Sequence, residues 1–203
     1  MSVDRTLGTI LVTSPGPRDG KTTTAANLAI SMARGGARVW LVNCDLRRPA
    51  SLDEAFAHQD GVGLTTVLAG LSAVEEALVP TGVEGLHYLP AGASVPSPPD
   101  VLGSQRMERF LDEAKTAASV VVLDAPPVMI AESLLLSTKV DGVVLVVRPG
   151  ETPRGPSQDA VKQLKTVGAN LLGVVLNKVS PRGAGYGYEY YYDGYYAGDG
   201  ARG

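Results

Sequence analysis

Nine residues set between two regular patterns constrain this chain more than anything else in it. The apolar run Thr9–Thr13 leads into Ser14-Pro15-Gly16-Pro17-Arg18-Asp19-Gly20-Lys21-Thr22. A stretch free of glycine and proline, Lys21–Arg34, follows and ends at Gly35-Gly36, where a C′ glycine belongs. A strand, a loop and a helix in this order bring backbone N–H groups and a helix amino end to one point, where they can hold phosphate. Gly20 allows close backbone approach, Lys21 is placed for the β- and γ-phosphates, and Thr22 for Mg²⁺. Pro15 and Pro17 have no N–H, so the cradle is expected from Arg18, Asp19, Gly20, Lys21 and Thr22, with Pro17 and Thr23 at its margins. Gly-Lys-Thr alone arises by chance; the strand–loop–helix setting gives it weight.

The rest of the chain repeats the alternation. Candidate strands are Thr9–Thr13, Arg38–Val42, Leu86–Leu89, Val120–Leu123, Gly142–Val147 and Leu172–Leu176. Several are apolar throughout, the pattern of parallel strands covered on both faces. Helical patterns fall at Lys21–Arg34, Leu64–Leu68, Val74–Leu78, Ser104–Ala117, Glu132–Thr138 and Ser157–Val167. The expected fold class is α/β, a doubly wound, mostly parallel sheet of the P-loop NTPase type, spanning residues 1–180. Seven of the eight tyrosines lie within Tyr186–Tyr196, in a glycine-rich segment with no aliphatic residue large enough to build a core. Residues 181–203 are therefore expected to form a disordered tail.

Composition excludes several functions. A net charge of −3 gives no bulk attraction for nucleic acid. The single cysteine, Cys44, excludes an internal disulfide, and with two histidines a structural zinc site is not expected. Cys44, His58 and His87 read as packing or surface residues. Met1–Asp4 carries no signal peptide, and no apolar run reaches the ~18–20 residues that cross a bilayer. The expected location is the cytoplasm, with any membrane association at its inner face supplied by a partner or another segment.

Two further strands end in acids. Trp40-Leu41-Val42-Asn43-Cys44-Asp45 and Val121-Val122-Leu123-Asp124-Ala125-Pro126-Pro127 each bring a carboxylate to a strand terminus. Beside a phosphate loop, such aspartates hold magnesium and its waters. The metal set read here is Thr22, Asp45 and Asp124. Without the loop, Asp124 would read as a turn or helix-cap residue. Arg47-Arg48-Pro49 is either a solvated basic turn or a charge that answers phosphate or a neighbouring subunit's carboxylate.

Taken together, these blocks resemble the bacterial protein-tyrosine kinases of capsular and exopolysaccharide synthesis, relatives of the MinD- and ParA-type deviant-Walker ATPases. Leu41–Pro49 is similar to their Walker A′ element, and the segment ending Asp124-Ala125-Pro126-Pro127 to their Walker B. Gly63-Leu64, Val67–Gly70, Leu89–Gly92 and Leu102–Ser104 also resemble family segments. The resemblance implies ATP as the nucleotide, catalytic roles for Lys21, Asp45 and Arg47, and an adenine contact at Asn177, which otherwise reads as a loop asparagine. It also implies phosphoacceptors among Tyr186, Tyr188, Tyr190, Tyr191, Tyr192, Tyr195 and Tyr196. Implied partners are a membrane polysaccharide co-polymerase that activates the kinase, further copies of the chain for trans-phosphorylation, and a phosphotyrosine phosphatase.

Three departures stand out. Asn43 occupies the position of the family's first Walker A′ aspartate, the proposed base or orienter for the tyrosine hydroxyl, and an amide takes no proton at neutral pH. Restoring the acid by Asn43→Asp is expected to raise activity if the missing base is the bottleneck. Arg18 stands where glycine is usual, and a positive φ there costs ~1–2 kcal/mol. The family's amino-terminal Glu-x-x-Arg-x-x-Arg segment is not found. Three functions follow: an autophosphorylating tyrosine kinase; a nucleotide-dependent binding switch on a polysaccharide-export partner, favoured by Asn43; and, last, a partitioning ATPase, which would carry a lysine where Gly16 stands.

Overall fold

The computed structural model describes residues 7–48, 52, 53, 56 and 61–179. Met1–Asp4, Pro49, His58 and the expected tail with its seven tyrosines lie outside the described residues. The strands are β1 (Thr9–Thr13), β2 (Val39–Asn43), β3 (Val79–Pro80), β4 (Leu86–Leu89), β5 (Val120–Asp124), β6 (Gly142–Val147) and β7 (Leu171–Leu176). The helices are α1 (Lys21–Arg34), α2 (Leu64–Ala69), α3 (Val74–Ala77), α4 (Pro98–Gly103), α5 (Gln105–Ala117), α6 (Ala131–Ser137) and α7 (Arg154–Thr166). They build one seven-stranded sheet in the order β3-β4-β2-β5-β1-β6-β7. Every pairing is parallel except that of β3 with β4. This is the α/β class expected from the alternation.

Burial explains the uninterrupted apolar runs. All five residues of β1 and of β2 are buried, because helices cover both faces. On one face α1 lays Ala25, Ala29 and Ala33, spaced four apart, against Ile10, Val12, Leu41 and Val122. Small side chains at that spacing let the helix lie close to the sheet. Its end is closed by Gly36 at φ 89°: Gly36 N–H donates to Ala33 O (2.9 Å) and Ala37 N–H to Met32 O (3.2 Å), the Schellman pattern. On the other face α5 buries Met107, Phe110, Leu111 and Ala114 with Leu11, Leu123 and Leu145. Truncating a fully buried leucine such as Leu11 or Leu123 to alanine costs about 2–5 kcal/mol.

The structure corrects several boundaries. The short helix α4 and strand β3 were not expected. In α4 two prolines, Pro98 and Pro99, occupy the first turn, where a missing N–H costs nothing. Ser104 caps α5 rather than opening it, its Oγ accepting from Met107 N–H at 3.3 Å. Helix α7 begins at Arg154, three residues before the expected Ser157, with Pro156 again in a first turn. Strands β2 and β5 run one residue further than expected and so include Asn43 and Asp124.

That last residue of each strand positions the site. Asp124 pairs in register with Val12 of β1 on one side and Asn43 of β2 on the other. From β1 the chain passes beyond β5 to form β2, whereas β6 lies on the opposite side of β1. Open α/β sheets bind ligands at the carboxyl ends of strands where their order diverges in this way. Among the described residues, no helix is long and apolar enough to cross a membrane.

Candidate functional site

The loop leaving β1 is braced from within and from a distant loop. Ser14 Oγ donates to Gly16 O at 2.6 Å. The buried Asp19 carboxylate accepts the Gly16 N–H at 3.2 Å and, through its other oxygen, the Thr152 hydroxyl at 2.7 Å. Thr152 in turn accepts the Arg148 N–H at 2.7 Å. Two left-handed residues shape the turn, Arg18 at φ 68° and Gly20 at φ 93°. The strain foreseen for Arg18 is therefore present. Gly20 is required twice over: for its φ, and because a Cβ there would lie 1.9 Å from Asn177 Nδ2. Asn177 instead donates that amide to Asp19 O at 2.9 Å, so β7 is tied directly to the loop. Gly20 ends the loop as the cap of α1, with no side chain across the helix's first N–H groups.

Four polar side chains meet behind the loop. Lys21 Nζ lies 3.1 Å from Thr22 Oγ1, 3.3 Å from Asp45 Oδ2 and 3.6 Å from Asp124 Oδ1. Burial pushes the Asp124 carboxyl up to about 6; Asp45 adds to the rise, while Lys21 and the Thr22 hydroxyl pull against it. Asp124 Oδ1 is buried without a hydrogen-bond partner among the described residues. An anionic oxygen in that condition, beside a hydroxyl and a second carboxylate, fits a hydrated Mg²⁺. Among the described residues no cluster of three or more His, Cys, Asp and Glu side chains could hold a metal by itself. A magnesium ion here would depend on phosphate and water for its remaining ligands. Burial and the two aspartates hold the Cys44 thiol well above its usual range, which leaves it an unreactive packing residue.

The end of β2 is more closed than its sequence suggests. Asn43 is 1% exposed, its Oδ1 accepts the Asp45 N–H at 3.1 Å, and its Nδ2 donates to Asp53 and Tyr88. Asp45 Oδ1 accepts the Arg48 N–H at 3.1 Å, which turns the chain sharply after the strand. Arg47 Nε donates to Glu132 Oε1 at 2.6 Å, while Glu132 is buried and its second oxygen has no partner among the described residues. A cavity of about 700 Å³ opens over these groups. Lys21, Asp45 and the three arginines Arg18, Arg47 and Arg48 line it together with the apolar Pro17, Pro126, Pro127, Met129 and Ile130.

Of the residues singled out in the sequence, Lys21, Thr22, Asp45 and Asp124 come together at one point. Pro17, Arg18 and Arg47 border the cavity, Asp19 and Asn177 brace the loop, and Thr23 is exposed on the first turn of α1. Asn43 is near the cluster but does not line the cavity. Sequence reasoning missed Glu132, Thr152, Asp53 and Tyr88. Glu132 follows Asp124 closely and opens a helix, a signal that could have marked it; the others are brought in only by tertiary pairing.

A braced glycine-lysine-threonine loop between a buried strand and a helix, at the divergence point of a parallel sheet, defines a P-loop nucleotide-binding domain. The chain belongs to that class: the CobQ/CobB/MinD/ParA nucleotide binding domain family matches residues 10–191. Within it, the chain belongs to the bacterial tyrosine-protein kinases, being 37% identical over 189 residues to tyrosine-protein kinase YwqD of Bacillus subtilis (strain 168), a match covering 92% of this chain and 79% of that one. The solved kinase domain of VpsO superposes with a TM-score of 0.82 at 31% identity, over 88% of both chains. The septum site-determining protein MinD of Pyrococcus horikoshii OT3, solved with Mg-ADP, superposes with a TM-score of 0.70 at 25% identity, over 86% of this chain and 72% of that one.

Proposed function

We propose that this protein is an ATP-dependent protein-tyrosine autokinase of a capsular or exopolysaccharide system, and that it phosphorylates the tyrosines between Tyr186 and Tyr196. The single observation that carries the reading is the convergence of Lys21, Thr22, Asp45 and Asp124 beneath a cavity lined by cationic and apolar side chains. Backbone N–H groups from Arg18 to Thr22 and the amino end of α1 hold the phosphates, and Lys21 moves its charge onto them. Thr22, Asp45 and Asp124 would hold Mg²⁺, which when bound neutralises charge on the β- and γ-oxygens. Asn177, whose amide N–H holds Asp19 O, would contact the adenine through its Oδ1.

In the transfer, the tyrosine oxygen bonds to the γ-phosphorus, the bond from that phosphorus to the ADP oxygen breaks, and the phenolic proton must leave. Asn43 cannot accept it, and with Asp45 engaged by Lys21 and the metal the proton leaves to water in the open cavity, Asp45 helping to set the charge there. Phosphoryl transfer is dominated by positioning and charge, so an amide at position 43 is compatible with turnover. The Pro126, Pro127, Met129 and Ile130 side chains suit an aromatic ring, and the arginines suit the flanking Glu189 and Asp193. The acceptor comes from another copy of the chain. A membrane polysaccharide co-polymerase at the inner face of the plasma membrane activates the kinase, and a phosphotyrosine phosphatase resets it.

Asn43 favours a second reading, a switch that binds ATP and regulates the same partner without phosphoryl transfer. Phosphotyrosine detection on purified protein with ATP and Mg²⁺, beside a Lys21→Met control, separates the two. Signal in the wild type alone is the kinase outcome; nucleotide binding without phosphotyrosine is the switch outcome.

A further inference from the structure

Glu132 is the buried carboxylate that takes no part in the cluster around Lys21. It lies on the first turn of α6 with its side chain 2% exposed. Its mount is pinned from several sides. Ser133 Oγ and Thr13 Oγ1 both donate to Pro126 O, and Val128 N–H donates to Ser14 O at 2.8 Å. The start of α6 is thereby tied to β1 and to the loop that leaves it. Arg47, at the turn after β2, is the exposed half of the pair: its side chain is 51% exposed and lines the cavity. Arg47 Nε donates to Glu132 Oε1 at 2.6 Å, and among the described residues this is the only hydrogen bond of the Arg47 side chain. A fork-on-fork pair would set Nε and one Nη on the two carboxylate oxygens. Here Oε2 is buried without a partner among the described residues, so both Nη groups of Arg47 are left for a ligand.

Stability does not account for this pair. A buried carboxylate with an unpaired oxygen is costly, and an apolar side chain of similar volume in its place is often neutral or stabilising. What the contact supplies is direction for a long side chain that has no other tether. We propose that Glu132 is a positioning residue, holding Arg47 by Nε so that its two Nη groups take the γ-phosphate of a nucleotide seated on the loop. Two parallel N–H groups on a planar fork match two phosphate oxygens, which a lysine cannot do. Lys21, on the same cavity, marks where the β- and γ-phosphates sit. The proposal deepens the nucleotide-binding part of the reading above and rests on it. Arg47 answers the one phosphate that ATP has and ADP lacks, so the Glu132–Arg47 pair sets the preference between the two.

The test is a double-mutant cycle of wild type, Glu132→Met, Arg47→Ala and the double variant, in the full chain. Titration calorimetry with the magnesium complexes of a β,γ-imido ATP analogue and of ADP gives one readout, and the thermal midpoint without nucleotide the other. Glu132→Met is expected to weaken the analogue about tenfold, with ADP affinity changed by less than about twofold and the midpoint lowered by no more than about 2 °C. Glu132→Gln, which keeps an acceptor for Nε, should weaken the analogue by less than about threefold. Arg47→Ala should weaken the analogue at least as much as Glu132→Met. It also strands a buried carboxylate without its counter-charge, so its midpoint should fall by about 5 °C or more. Adding Glu132→Met to Arg47→Ala should bring the midpoint back to within about 2 °C of wild type and weaken the analogue no further, because Glu132 acts through Arg47. The proposal is overturned if Glu132→Met weakens both nucleotides alike, if it weakens neither, or if the two affinity losses add in the double variant. A wild type that binds the analogue but forms no phosphotyrosine with Mg-ATP refutes the kinase reading and leaves the affinity ratio to decide the role of Glu132. A wild type that binds neither nucleotide refutes both.

Discussion

Lys21 ties together two acids that would otherwise repel, and the three residues behave as one unit. Asp124 is the costly member, being 2% exposed at its side chain and raised to about 6 by burial. Asp124→Asn is therefore expected to raise the thermal midpoint of the nucleotide-free protein at pH 8 by about 2–4 °C. It should also abolish the rise that Mg-ATP gives the wild type; scanning calorimetry reads both. Gly20→Ala is expected to do the reverse. Its Cβ would meet Asn177 at φ 93°, so the loop must shift, and Mg-ATP affinity should fall more than tenfold while the midpoint drops by only a few degrees. Lys21, Thr22, Asp45 and Asp124 were legible in the sequence because each sits at a fixed offset from a strand end. Asp53, Tyr88 and Thr152 were not, because their roles come from register: β4 runs beside β2 and carries Tyr88 to Asn43. Asn43 was read as a departure; its burial, and the carboxylate of Asp53 placed against it, were invisible in the sequence.

At the scale of elements, one side chain joins three of them. The Asp141 carboxylate, just before β6, accepts the Gly8 N–H, the Thr9 N–H and the Thr9 hydroxyl and pairs with Lys115 of α5 at 3.3 Å. Partial burial pushes its carboxyl up, but the Thr9 hydroxyl and N–H and the Lys115 ammonium outweigh this and hold it below the usual range. The sign follows. Its stabilisation is present at neutral pH, above the unfolded carboxyl's range near about 4, and is lost as pH falls through the lower folded value. Asp141→Asn should cost about 1 kcal/mol at pH 7, held down because the side chain is 34% exposed, and the difference from wild type should close in melts at the most acidic pH. Uniform apolarity revealed the long parallel strands. The two-residue β3 and the proline-led α4 escaped notice because neither is long enough to show a period, and proline reads as loop whether or not a helix starts on it.

At the scale of the whole molecule, the proposed nucleotide site lies at the carboxyl ends of the central strands, and the acceptors proposed for it lie beyond Val179 in the sequence. Each phosphate adds about −1.5 to −2 charges. Several on Tyr186–Tyr196 should therefore drive copies apart, and light scattering before and after ATP and Mg²⁺ should record a fall in mass; an unchanged mass with a fully phosphorylated tail would remove that part of the account. The central claim is narrower: the turn from β1 into α1 grips a nucleoside triphosphate with the help of Asp45 and Asp124. Titration calorimetry with Mg-ATP tests it most directly. The account predicts one saturable site per chain in the wild type and none in Lys21→Met. A folded wild-type protein that gives no binding heat with excess magnesium, and whose melting midpoint ATP leaves unmoved, would contradict it.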